Sequence, residues 1–335
     1  MSPQVRVLDP GAHSTVQDRG RQHCSHLGVS PSGVMDWFSA AAANRLAGNA
    51  EGAALIETTL SGIKLATASA RRVSVTGANA PLLIDGREMQ LWTAHDVAAG
   101  VEIVVGPARR GLRSYVAFEG GIDVPEVLGS RSTDLGAGFG GLEGRPLRAG
   151  DTLELAPRST HGAPTSTHGA LAPCPPFPEE SIPHWTSPAL LRVIPGPHAD
   201  HFGADALERL CMRTFTASIR STRQGMRLEG EPLALERPTD IASAGTSAGC
   251  VQIASDGLPV LLLAEHQTTG GYACALCVIT ADLPRAGQLR PGDLVRFELV
   301  TLTDAAHALD LTVRRLRGES IQPTAELAEG FFEGV

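Results

Sequence analysis

Eight prolines, Pro157, Pro164, Pro173, Pro175, Pro176, Pro178, Pro183 and Pro188, fall within about a tenth of the chain, interleaved with Ser, Thr, His and Gly. Proline lacks a backbone donor and fixes φ, so this stretch predicts a linker rather than a packed element. It divides the 335 residues into a first domain over 1–156, a linker over 157–187 and a second domain over 188–305. Residues 306–335 read as an irregular tail, with Arg314-Arg315-Leu316-Arg317 followed by an acidic end. Each half is long enough for an ordinary domain.

Both halves read mostly as β. Val73-Ser74-Val75-Thr76 alternates, and Leu82-Leu83-Ile84 runs into Asp85-Gly86, a strong hairpin signal. Further strands are expected at Ile103–Val105, Ser114–Phe118, Leu153–Leu155, Leu191–Ile194, Phe215–Ile219, Val260–Leu263, Ala275–Thr280 and Val295–Val300. Helices are expected at Met35–Ala47, with Asp36 near its positive end and Gly48 as its stop, and at about 204–212. Leu147-Arg-Ala-Gly-Asp151-Thr-Leu153 reads like Leu289-Arg-Pro-Gly-Asp293-Leu-Val295. This faint repeat favours two similar β domains, sandwiches or barrels, over a single sandwich.

Charge removes several functions. The formal net charge is −8, which argues against general nucleic-acid binding. All the basic residues but one are arginine; the lone lysine is Lys64. A P-loop needs Gly-Lys-Ser/Thr, which is absent from this sequence, and Lys64 sits in an ordinary stretch for a Schiff base. The longest apolar run, Leu258 to Ala264, is about a third of what a bilayer requires. The opening Met-Ser-Pro-Gln-Val-Arg-Val lacks the apolar core of a signal peptide. Six scattered cysteines are too few for a disulfide scaffold, so a cytoplasmic, reducing location is expected.

Some motifs fail on context. Gly136-Ala-Gly138-Phe-Gly140-Gly141 has the letters of a dinucleotide fingerprint, but no strand precedes it and no long helix can follow. A glycine loop at a site mouth or an interface is the better reading. In Cys274-Ala-Leu-Cys277, residues three apart on a strand point to opposite faces, so two small buried hydrophobes are expected rather than ligands. His198-Ala-Asp200-His201 is weak evidence for a metal, and no metal site is assigned. No Gly-x-Ser-x-Gly elbow occurs.

Three polar clusters stand above this background. The first is Thr15-Val-Gln17-Asp18-Arg19-Gly-Arg21 with His26-Leu-Gly28-Val-Ser-Pro-Ser32-Gly33-Val-Met35-Asp36, glycine-rich and just before a helix N-terminus. The second is Leu128-Gly-Ser130-Arg131-Ser132-Thr133, leading into the glycine loop. The third is Glu265-His266-Gln267-Thr268-Thr269-Gly270-Gly271-Tyr272. Each could instead be a turn satisfied by its own side chains.

The stretches TVQDRGR, HLGVSPSGVMD, ANRLAGN, LGSRST, GFGGLEGRPLRAGD, RLEGEPL, QTTGGY and QLRPGD resemble, in order from about Val7 to Val300, those of the 5-oxoprolinase C-subunit family. That family is also called the KipA, allophanate hydrolase subunit 2 or biotin-dependent carboxyltransferase family. The resemblance implies a mainly β fold with a few helices, in two cyclophilin-like β-barrel domains. It implies pairing with a KipI-type B-subunit as a heterotetramer and joint action with a LamB/YcsF-type A-subunit. Together these hydrolyse 5-oxoproline to glutamate at the expense of ATP with magnesium, shared with the partner; this chain is expected to be inactive alone. Alternatives within the family are a carboxyltransferase acting on urea or a related amide with a biotin carrier, and a non-catalytic KipA-like binder of a kinase inhibitor.

Activating a lactam by phosphorylation needs donors around phosphoryl oxygens and a carboxylate handling protons or magnesium. Arg21, Arg131 and Arg227 are candidates for anion contacts. Asp18, Asp36 and Glu57 are candidates for catalytic acid/base or metal work. Gln17, His26, Ser32, Gly33, Ser132, Gln252, Gln267, Thr268 and Tyr272 are candidates for holding substrate or phosphate. Any of the arginines or aspartates could equally hold the two barrels together. Two departures stand out: members often read Gly-Gly-Tyr-Pro-Lys where this chain has Tyr272-Ala273-Cys274, and Arg-Met-Gly-Tyr-Arg where it has Arg223-Gln-Gly-Met226-Arg227.

Overall fold

The computed structural model describes residues 3–157, 174–203 and 205–319. The first half builds two antiparallel sheets around one core. One has six strands in the order Thr152–Glu154, Gln4–Asp9, Ile63–Thr67, Glu102–Val105, Leu82–Ile84 and Arg87–Met89. The other has five, in the order His13–Gln17, Leu55–Thr59, Arg110–Phe118, Arg71–Asn79 and Ala94–Val97. Alternation along the strands supplies the core: Val5, Val7, Ile63, Leu65, Ile103 and Val105 from one sheet meet Val16, Ile56, Val73, Val75, Val116 and Phe118 from the other. The Asp85-Gly86 hairpin forms as expected, with both residues at positive φ (52° and 72°), the requirement of the turn whose twist matches its strands.

The outer face of the five-stranded sheet carries α1 (Trp37–Ala47), capped by Asp36 at one end and by left-handed Gly48 at the other. Ala40, Ala43 and Ala47 face Leu55, Tyr115 and Ala117. These small side chains let the helix settle close enough for Ser74 Oγ and Thr76 Oγ1 to donate to the Ala43 and Ser39 carbonyls, each at 2.6 Å. Strand Arg71–Asn79 is therefore buried on both faces.

The second half closes into a seven-stranded barrel, in ring order Ala189–Pro195, Cys274–Val278, Cys250–Ile253, Pro259–Leu262, Gly225–Glu229, Thr214–Ala217 and Leu294–Leu299. A parallel pairing of Leu191 with Phe297 completes the ring. Leu191, Val193, Phe215, Leu228, Val251, Leu261, Leu276, Val295 and Phe297 fill it, and α2 (Ala206–Met212) adds Leu210 to the same core. The fold is thus mainly β in two β domains, as expected, with two further helices, α3 (Leu283–Gly287) and α4 (Leu302–Arg317).

The sequence repeat is a repeat of structure. Asp151 Oδ2 accepts from the Arg148 amide at 2.7 Å and Asp293 Oδ2 from the Arg290 amide at 2.8 Å. Gly150 and Gly292 sit at φ 93° and 92°. The leucines before the turns, Leu147 and Leu289, are buried in their respective cores. One turn has been built twice.

The tail reading is corrected. Residues 302–317 form α4, because Thr301 and Asp304 make a reciprocal capping box and Gly318 stops the helix in the left-handed conformation. Its Leu316 joins Phe38, Trp92 and Phe177 in a small aromatic cluster. Phe177 belongs to the stretch read as linker and donates its amide to the Trp92 carbonyl at 2.9 Å, so residues 174–187 include packed chain. Linker residues 158–173 and the acidic end beyond 319 lie outside the described residues.

Candidate functional site

Two of the three carboxylates singled out for catalysis lie in the seam between the domains. Glu57 Oε2 accepts from the Met35 amide at 2.8 Å and the Tyr115 hydroxyl at 3.0 Å. Its other oxygen meets the Arg223 guanidinium, which reaches across from the second domain and also binds Glu265 at 2.7 Å and the Gly33 carbonyl. Arg113 stands 3.6 Å from Glu57 and donates to the Gly287 carbonyl. Asp36 caps α1 by accepting from Ser39 at 2.9 and 2.5 Å, and it accepts from Gln288 Nε2 at 2.8 Å. Gln288 Oε1 in turn accepts from the Leu112 and Arg113 amides, each at 2.9 Å. Glycine at 287 is required because a Cβ there would lie 2.4 Å from the Met35 carbonyl oxygen. Burial pushes the Asp36 carboxyl up to about 6, against the hydrogen bonds from Ser39 and Gln288 that favour its charge. Asp36 and Glu57 fasten one domain to the other.

The third carboxylate, Asp18, organises the second polar cluster. Its Oδ1 accepts from the Gly20 amide at 2.8 Å and from the Ser130 and Ser132 hydroxyls at 2.5 Å, and its Oδ2 from the Arg131 amide at 2.6 Å. Arg21 is buried: Nε donates to the Val127 carbonyl at 3.1 Å, Nη2 to that of Ser132, and the guanidinium lies 4.7 Å over the Phe139 ring. The glycine loop wraps this arginine, since a Cβ on Gly140 would sit 2.2 Å from Arg21 Nη2. Arg131 pairs at the surface with Asp123 and Glu126. Gln17 donates to Thr15 and to the Thr133 carbonyl. Ser32, at φ 54°, and Gly33, at φ 91°, form the bend leading to Met35, and His26 lies exposed on a single 3-10 turn over Ser25–Leu27. These first-domain candidates do not surround one cavity.

Four of the five second-domain candidates do. Arg227, Gln252, Gln267 and Tyr272 line a cavity of about 410 Å³ on the outer face of the barrel, joined by Arg220, Thr222, Gln224 and Asp256. Strands Gly225–Glu229, Cys250–Ile253 and Pro259–Leu262 form its floor, because residues alternating with the core-filling ones must face outward. Gln252 Nε2 donates to the Tyr272 carbonyl at 3.1 Å. A Cβ on Gly270 would lie 2.7 Å from Gln252 Nε2 and 3.3 Å from Gln267 Nε2, so glycine there lets both amides converge. Arg227 is exposed and has no ion-pair partner among the described residues. Thr268 stands outside the cavity, with its carbonyl accepting from the Thr246 amide.

Thr222 and Gln224 also line a second cavity of about 490 Å³ between the domains, walled by His13, Arg113, Leu135, Gly136, Arg223 and Glu265. Sequence reasoning missed Arg220, Gln224, Arg113, Arg223 and Gln288 as participants. Arg223 and Gln288 stand in quoted motifs, but their partners lie 166 and 252 residues away. Lys64 pairs with Glu102 at 3.0 Å on the six-stranded sheet, away from both cavities. No helix among the described residues is long and apolar enough to cross a membrane.

Two β domains thus meet at a seam of buried charge, with an amide- and guanidinium-lined cavity on the outer face of the barrel. The chain belongs to the family of the carboxyltransferase domain, subdomain A and B, whose model matches residues 27–299. It is 34% identical to the 5-oxoprolinase C-subunit of Haemophilus influenzae over 302 residues, covering 90% of this chain and 93% of that one. It is 31% identical to the 5-oxoprolinase C-subunit of Escherichia coli over 306 residues, covering 91% and 94%. Among solved structures it is similar to the urea carboxylase of Kluyveromyces lactis, with a TM-score of 0.86 and 28% identity over 97% of this chain and 30% of that one.

Proposed function

We propose that the chain is one component of an ATP-dependent amide or lactam hydrolase that converts 5-oxoproline to glutamate together with the A- and B-subunits, in the cytoplasm. The observation that carries this reading is the gathering of Arg227, Gln252, Gln267 and Tyr272 around one cavity. A cyclic lactam bearing a carboxylate needs a cation for the carboxylate, a donor for its carbonyl and an acceptor for its N–H. Arg227 supplies the first and the primary amides of Gln252 and Gln267 supply the other two. Asp256, on the cavity wall, can hold a proton at the lactam nitrogen as the ring opens.

ATP with magnesium would supply the phosphoryl group that turns the lactam into an activated imidate, open to attack by water at its carbon before the C–N bond breaks. With Arg227 given to the substrate carboxylate and Arg220 paired with Glu229 at 3.7 Å, the nucleotide falls to the KipI-type B-subunit. With one lysine in the chain, and that one at Glu102, arginines and backbone amides must provide any phosphate contacts made here.

Purified alone, the chain should release no glutamate from 5-oxoproline. With the A- and B-subunits present it should do so with matching ATP turnover, and full reconstitution without such turnover sinks the reading. The likeness to a urea carboxylase supports a second reading, a carboxyltransferase component that acts on urea or a related amide with biotin on a separate carrier. That reading requires a biotinylated carrier protein to bind this chain and urea to compete at the Arg227 cavity.

A further inference from the structure

We propose that Cys250, Cys274 and Cys277 form a binding site for a thiophilic d10 metal ion, with zinc(II) as the probe. The three Sγ atoms all lie within 4.8 Å of one another. The expectation that Cys274 and Cys277 face opposite sides fails because the strand pairing slips. Cys250 pairs with Cys277 and Val251 with Leu276, but Gln252 pairs with Cys274, leaving one residue of Cys274–Val278 extra. Such a bulge resets the alternation. Cys274 and Cys277 then share the outer barrel face with Cys250, and their sulfurs stand 3.8 Å apart.

That spacing suits a metal. Zinc–thiolate bonds of about 2.3 Å at a tetrahedral angle place two sulfurs about 3.8 Å apart. Three thiols binding a divalent ion release three protons and change no oxidation state. Cys274 is buried, whereas Cys277 is partly open to solvent and gives the ion a way in.

The position is also informative. Val260 and Leu262 pack on the three cysteines and line the Arg227 cavity as well. Gln252 lies two residues beyond Cys250 on the same face. A metal held here would brace the cavity floor at the place where family members often carry a lysine and this chain carries Cys274.

The test is zinc titration of the full-length chain, purified metal-free under a non-thiol reductant, with cobalt(II) as a spectroscopic stand-in. One equivalent should bind, with cobalt showing thiolate charge-transfer absorption and zinc raising the thermal midpoint. Cys277→Ser, at the partly exposed position, should weaken zinc binding by more than about tenfold, the lower end of losses seen even for outer-shell partners. The triple Cys250→Ser, Cys274→Ser, Cys277→Ser variant should abolish binding, with circular dichroism checking its fold. A Cys24→Ser, Cys174→Ser, Cys211→Ser variant should bind zinc as the native chain does. Absence of stoichiometric binding to the native chain, or binding that survives Cys277→Ser unchanged, overturns the proposal. So does loss of binding in the Cys24, Cys174 and Cys211 variant.

Discussion

The first domain's polar cluster and the second domain's cavity are built from the same residue types and put to opposite uses. Around Asp18 both carboxylate oxygens are taken, by the Gly20 amide of its own loop and by donors of Ser130, Arg131 and Ser132, and Arg21 is sunk beneath the glycine loop with carbonyls as partners. Around Arg227 the guanidinium stands exposed beside amides that converge on a glycine. Polar side chains that satisfy one another make structure, and polar side chains left facing a concavity make recognition. The seam between the domains is the extreme of the first kind, with Glu57, Arg113, Arg223 and Glu265 each less than a tenth exposed.

The contrast can be broken most severely at the seam. Glu57→Ala leaves Arg223 and Arg113 as buried cations with a lost counter-charge, and should cost about 3–5 kcal/mol in urea unfolding. A loss below about 1 kcal/mol would mean that the seam is wet. Asp36 gives a pH signature at the same place. Its carboxyl titrates at about 6 rather than the ordinary 3.8, so the folded state holds the proton more tightly than the unfolded chain. The stability this gives is full below about pH 4 and is lost as pH rises to about 6, a change of roughly 3 kcal/mol. Asp36→Asn removes it, so the stability of the native chain relative to this variant should fall across that window. A difference independent of pH would show that the carboxyl titrates normally.

Smaller effects sharpen the other side. Asp18→Ala strips acceptors from two hydroxyls and two amides and should cost about 2 kcal/mol, with little change in the KM of the reconstituted enzyme for 5-oxoproline. Arg227→Ala should do the reverse. Stability should hold to within about 0.5 kcal/mol, as for surface substitutions elsewhere. KM should rise about tenfold or more, the loss of one charge-assisted contact. Equal effects of the two variants on stability and KM would erase the distinction between the regions.

Much of the fold was legible because its signals are local. Asp85-Gly86 announced a hairpin, Asp36 and Gly48 bracketed a helix, and the Leu-Arg-x-Gly-Asp repeat marked one turn used twice. The site was legible only as a set of names: Arg227, Gln252, Gln267 and Tyr272 stood among candidates from both domains, and only the folded chain gathers these four at one cavity. What the letters could not show was pairing at long range. Nothing local ties Glu57 to Arg223 or Asp36 to Gln288. Nor does strict alternation foresee a one-residue slip that turns Cys274 and Cys277 to the same side. The tail escaped this reading although α4 sets Ala305, Leu309, Val313 and Leu316 along one face at helical spacing; that period and the Thr301–Asp304 box were the signals to use.

Met35 packs in the second barrel's core although it belongs to the first domain's sequence, and Asp36 waits for Gln288, 252 residues further along. During synthesis the first domain therefore emerges with a bare methionine and a half-paired carboxylate at its edge. Only when α3 has been made and Gly287 settles against Met35 can that edge close. The last part of the second barrel thus completes the first domain, and a chain cut between the two would yield an N-terminal half that displays the very surface it is meant to bury.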